Sequence, residues 1–160
     1  MEIIVHRINK IKELKKIPTN FGIEIDIRSH KSKLILNHEP YKSGDSLDSF
    51  LKNYKHGTLI LNIKEAGIED DVIKKVKNKK IKSFFLLDVE FPYIFRSIKK
   101  KQKNIAIRFS EKETIDNAKY LINRFKWVWI DTLTKLPLNQ KNINILKKFK
   151  TCLVCPERWG

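Results

Sequence analysis

The sequence predicts an α/β fold built around a parallel sheet, and two patterns point there. Short apolar runs of strand length alternate with amphipathic, Lys-rich stretches, and charged side chains stand at the end of nearly every run. The runs cover residues 3–5, 22–27, 34–36, 59–63, 84–87, 105–107, 127–130 and 152–154, and are rich in Ile, Val, Leu and aromatics. Between them, Ser46 is placed to cap a helix carrying Leu47, Phe50, Leu51 and Tyr54 on one face. Ile68, Val72, Ile73 and Val76 form a second stripe, and Pro92 suits the first turn of a third helix. Ser110 with Glu113 reads as a capping box ahead of Ile115, Ala118 and Ile122, and Asn139 starts a last helix with Ile143 and Leu146.

One connection departs from the alternation. A polar turn at 31–33 joins the second run to the 34–36 run, which reads as a β-hairpin after strand two. No linker, low-complexity block or repeat interrupts the 160 residues, so a single domain spanning 1–160 is expected.

Composition narrows the function classes. No stretch approaches the ~18–20 consecutive apolar residues of a membrane span. The apolar start precedes the first Lys, the reverse of a secretory leader, so the expected location is cytoplasmic. The net charge of +16 would attract a polyanion. Abundant Lys, Asn and Ile together are also what A/T-rich coding produces, and several lysines stand where cations complement helix C-termini. No RNA-binding motif or aromatic platform is present, because Trp127 and Trp129 fall inside a core strand; no specific nucleic-acid partner is expected. No Gly-rich loop follows the first strand, which argues against a dinucleotide or P-loop site. The two cysteines, Cys152 and Cys155, have CxxC spacing but no second Cys or His pair nearby, and read as ordinary thiols.

The polar strand ends carry the functional reading. His6 and Arg7 follow the first run, Glu24 and Asp26 lie within the second, and His38 and Glu39 end the hairpin strand. Asn62 and Lys64 end the next, followed at later strand ends by Asp88, Arg108, Asp131 and Glu157. In a parallel barrel such ends converge on one mouth, the usual place for chemistry. Glu24 and Asp26, two apart in a strand, point to one face, while Ile23, Ile25 and Ile27 take the other. Two carboxylates aimed into a core repel each other and are costly to desolvate. A divalent cation, Mg²⁺ or Ca²⁺, resolves that cost; salt bridges to Lys64 or Arg28 are the alternative.

Taken in order, His6-Arg7, Glu24-x-Asp26, His38 after a short hairpin and Asn62-x-Lys64 resemble the glycerophosphodiester phosphodiesterases, within the wider phospholipase-C-like phosphodiesterases. The specific motifs run from about Ile3 to Lys64; beyond that only the strand and helix rhythm matches. The resemblance implies a (β/α)8 TIM-type barrel and metal-dependent hydrolysis of a small or lipid-derived phosphodiester. It implies that Glu24 and Asp26 bind the metal, with Asn62 where the family has an acidic ligand. It implies that His6 and His38 form the acid–base pair and that Arg7 and Lys64 contact phosphate.

The chain also departs from the pattern. Ile8 stands where glycine usually follows His-Arg, Glu39 replaces an aspartate, and Asn62 removes a negative charge from the site. Counting barrel strands from Ile3, Gly22, Leu59, Phe84, Ile105, Trp127 and Cys152 gives seven, with the chain ending at Gly160 before an eighth. The expectation is an incomplete barrel, either a compact variant or a truncated frame, whose open edges favour instability or homo-oligomerisation. These departures favour a rival reading, a non-catalytic basic barrel module that binds an anionic, phosphate-containing ligand.

Overall fold

The computed structural model describes residues 1–154 and forms two compact units, Met1–Glu90 and Phe91–Gly160. Cys155, Glu157 and Arg158 lie outside the described residues.

The first unit is a mixed sheet flanked by short helices. In chain order it contains β1 (Ile4–Val5), α1 (Ile11–Leu14), β2 (Gly22–His30), β3 (Lys33–Leu36), β4 (Asp45–Ser46), α2 (Leu47–Asn53), β5 (Leu59–Ile63), α3 (Glu69–Asn78) and β6 (Phe84–Leu87). The sheet order is β4-β3-β2-β5-β6, with β1 also on β2. β1, β2, β5 and β6 run parallel, so their C-terminal ends share one edge.

β2 organises the sheet. Its first residues, Gly22 and Ile23, pair with β1, and Ile27 to His30 pair antiparallel with β3. The expected hairpin is therefore present, and Lys31 and Ser32 at its turn both have positive φ, 47° and 62°. That is the backbone of a two-residue turn whose twist matches the strands. From Gly22 to Ile27 both faces of β2 are buried, so its Ile residues serve the core while Glu24 and Asp26 are fully enclosed. Gly22 is required here: a Cβ would lie 2.7 Å from the Thr58 carbonyl oxygen and 2.8 Å from the Ile4 side chain.

α2 turns Leu47, Phe50 and Leu51 inward, and α3 does the same with Val72, Ile73 and Val76 while Glu69, Asp70 and Asp71 occupy its first turn. Phe50 has no solvent exposure. Phe50→Ala is expected to cost about 3–5 kcal/mol, read as a lower urea midpoint with an unchanged slope.

The second unit contains α4 (Phe91–Lys99), β7 (Ala106–Phe109), α5 (Ile115–Tyr120), β8 (Trp127–Ile130), α6 (Gln140–Leu146) and β9 (Lys150–Leu153), with a parallel sheet in the order β7-β8-β9. Its core gathers Phe109, Ile115, Ala118, Val128, Ile130 and Leu146. Asn139 caps α6 through its side chain, which accepts from the Asn142 amide at 3.0 Å. The capping box expected at Ser110 and Glu113 is absent. Those residues form an isolated bridge, and Thr114 caps α5 by accepting from the Asp116 amide at 3.2 Å. Thr114 stands directly before the helical backbone, which is where a cap must be. Cys152 is half-buried in β9.

Candidate active site at the C-terminal edge of the first sheet

Strand register assembles the site. Asp26 pairs with Asn62 across β2 and β5, and Glu24 lies two residues earlier on the same face. β1 ends immediately before His6 and Arg7, and Arg7 takes a left-handed backbone, φ 57°. That turn aims the Arg7 amide at Glu24, donating to Oε2 at 2.7 Å. The His6 imidazole Nε2 stands 3.5 Å from the same oxygen.

His38, beyond β3, is held from two sides. A guanidinium nitrogen of Arg7 lies 3.0 Å from its Nε2, and a Glu39 carboxylate oxygen lies 2.6 Å from its Nδ1. A guanidinium can only donate, so Nε2 is the acceptor and Nδ1 carries the proton given to Glu39. The hydrogen bond with His38 holds the exposed Glu39 carboxyl below its ordinary value.

Asp26 is gripped by a residue with no place in the sequence pattern. Asn9 donates through its amide to Asp26 Oδ2 at 2.8 Å, and its carbonyl oxygen accepts the Asp26 backbone N–H at 2.8 Å. This reciprocal pair fixes the carboxylate plane and turns Oδ1 away from Asn9. Oδ1 makes no hydrogen bond and faces the Lys64 ammonium at 3.2 Å. Arg28 supports the same edge, donating to the His38 carbonyl at 3.1 Å and the Lys64 carbonyl at 3.0 Å. It thereby ties the segments bearing His38 and Lys64 to β2. The alternative role expected for Arg28, a salt bridge to Glu24 or Asp26, is not what it does; the carboxylate partner is Lys64.

All seven predicted site residues, His6, Arg7, Glu24, Asp26, His38, Asn62 and Lys64, fall in this unit and are linked by these contacts and by the β2–β5 register. Ile8 is buried, and its amide donates to the Glu24 carbonyl at 2.9 Å, so its side chain belongs to the core. In the second unit, Arg108 pairs with Asp131 and stands 3.8 Å from Glu113, a network internal to that unit.

The electrostatics of the carboxylate pair are unbalanced. Burial, and then the charge of Asp26, push the Glu24 carboxyl up to about 7, opposed by the Arg7 amide. Among the described residues no group of three or more His, Cys, Asp or Glu side chains is gathered to hold a metal ion. The donor set nevertheless fits a hard cation once the amide is included. Glu24 Oε1, Asp26 Oδ1 and Asn62 Oδ1 are all buried oxygens without a hydrogen-bond partner. Asp26 Oδ1 has the Lys64 ammonium at 3.2 Å, and the other two buried acceptors are costly unless a cation or water serves them.

A cavity of about 680 Å³ opens beside Arg7 and His38, lined further by Asn9, Lys10, Lys12 and Asn37. No protein-family model, curated protein or solved structure matches the chain.

Proposed function

We propose that this chain is a metal-dependent phosphodiester hydrolase similar to the glycerophosphodiester phosphodiesterases, acting on a small or lipid-derived phosphodiester in the cytoplasm. The observation that carries the reading is the set of buried oxygens on Glu24, Asp26 and Asn62 that accept no hydrogen bond, adjoining two histidines and Arg7. The same reading keeps the (β/α)8-type barrel that the resemblance implies as the proposed fold.

Each side chain has a task. Arg7 and Lys64 bind the non-bridging phosphate oxygens, and Arg7 leaves His38 Nε2 as it engages the phosphate. The freed Nε2 accepts the proton of the nucleophile, water or a substrate hydroxyl, as its oxygen bonds to phosphorus. The charge this places on the ring is balanced by Glu39 at Nδ1. His6 gives a proton to the leaving alkoxide oxygen as the ester bond breaks. A divalent cation, Mg²⁺ or Ca²⁺, held by Glu24, Asp26 and Asn62 would neutralise charge developing on the phosphoryl oxygens.

Asn9 positions Asp26 for this task. Asn9→Ala is expected to weaken Mg²⁺ or Ca²⁺ binding by about 10–100-fold, measured by isothermal titration calorimetry, and to lower thermal stability because buried Asp26 loses two hydrogen bonds.

A second reading has its own support. Lys64 stands 3.2 Å from Asp26 Oδ1 and already supplies a cation to the pair, which suits a non-catalytic module holding an anionic ligand without metal. Hydrolysis of bis(p-nitrophenyl) phosphate and of glycerophosphodiesters, with EDTA, Mg²⁺ or Ca²⁺, separates the two. Metal-dependent turnover that disappears in the His6→Ala/His38→Ala protein is the result expected of the enzyme. No turnover from folded protein favours the binding module.

A further inference from the structure

The helix α4 carries apolar surface that the fold does not use. It buries Tyr93 and Ser97, yet Phe91 and Phe95 remain 70% and 53% exposed. The two rings lie one turn apart with centroids 6.1 Å from each other, and Lys99 continues the same line at the next turn. Polar residues at these positions would satisfy a solvent-facing helix, and adjacent exposed aromatics mark a surface that meets something apolar.

The flanking charge says what that is. Arg96, Lys99, Lys100, Lys101 and Lys103 are all exposed, with no acidic residue between Phe91 and Lys103. Aromatic side chains beside a dense basic cluster match the boundary of an anionic bilayer, where rings enter the headgroup and acyl border and cations meet lipid phosphates. A second copy of this chain fits less well, because apposing two such clusters would bring like charges together.

We propose that α4 and the basic segment after it form a docking surface for anionic lipid membranes. Phe91 and Phe95 insert, and Lys99, Lys101 and Lys103 supply the electrostatic attraction. This goes beyond the catalytic reading and stands or falls without it.

Vesicle co-sedimentation tests it on the full chain. Binding is expected to phosphatidylcholine vesicles containing phosphatidylglycerol, to fall as salt is raised, and to be weak on phosphatidylcholine alone. Replacing Lys99, Lys101 and Lys103 with Gln is expected to weaken it about a hundredfold. Phe91→Ser with Phe95→Ser is expected to weaken it at least about tenfold. Both sets alter exposed side chains, and circular dichroism checks that they leave the fold intact. A control with Lys77, Lys79 and Lys80 changed to Gln loses the same charge elsewhere and is expected to bind nearly as wild type. The proposal is overturned if the wild-type chain ignores the anionic vesicles, if the Phe variants bind equally well, or if the lysine control loses as much binding. It is also overturned if sedimentation velocity shows a dimer that the Phe variants convert to monomer, since a second copy then covers the face.

Discussion

His38→Ala is expected to lower kcat toward phosphodiesters by about 10²–10⁴-fold without unfolding the protein. The ring is partly exposed, so its loss opens no core cavity. What is lost is a defined proton acceptor. Arg7 can only donate to Nε2, so the opposite nitrogen must hold the proton directed at Glu39, and the ring waits in the tautomer a general base needs. Glu39→Gln keeps an acceptor for Nδ1 but removes the balancing charge, and is expected to reduce kcat by less. His6→Ala separates the two histidine roles. An alkoxide leaving group needs a proton, whereas p-nitrophenolate departs without one. The His6 variant should therefore lose glycerophosphodiester turnover and retain much of its turnover of bis(p-nitrophenyl) phosphate, while the His38 variant loses both. Equal losses on the two substrates for His6→Ala would remove it from the acid role.

Much of this site was legible in the sequence because its signals are local. A period of two places Glu24 and Asp26 on one strand face, and the polar turn after His30 announces the hairpin that delivers His38. The parts that were not legible depend on distant partners. Asn9 meets Asp26 across seventeen residues and Arg28 meets the Lys64 carbonyl across thirty-six, and no spacing rule links either pair. Arg28 read as a counter-ion because it is a cation near two acids, but its guanidinium faces carbonyl oxygens. The two-unit division had no linker to mark it. Ser110 and Glu113 satisfy the capping-box pattern, yet they bridge each other ahead of the helix, which starts at Ile115 behind Thr114. A pattern of residue types identifies a cap only when the helix begins beside it.

Glu24→Gln is expected to stabilise the metal-free protein above pH 7, on the order of 2 kcal/mol, while abolishing divalent-cation binding. The Glu24 carboxyl rises from 4.5 to about 7 in the folded chain, chiefly through burial and next through the Asp26 charge. Between those values the folded state keeps a proton that the unfolded state has released. Stability contributed by this group therefore falls as pH rises through that window, and the penalty is complete above about pH 7. The amide has no charge to desolvate, and its oxygen can still accept the Arg7 amide at the position of Oε2. Urea unfolding in EDTA should thus find the variant more stable than wild type at pH 8, with the two converging below about pH 4.5. Metal binding works against the same proton. A cation needs the Glu24 carboxylate, so Mg²⁺ or Ca²⁺ affinity is expected to fall about tenfold for each pH unit below 7, with close to one proton released on binding. If Glu24→Gln destabilises the metal-free chain at pH 8, the carboxylate is already compensated by its neighbours, and the case for a cation at Glu24, Asp26 and Asn62 fails with it.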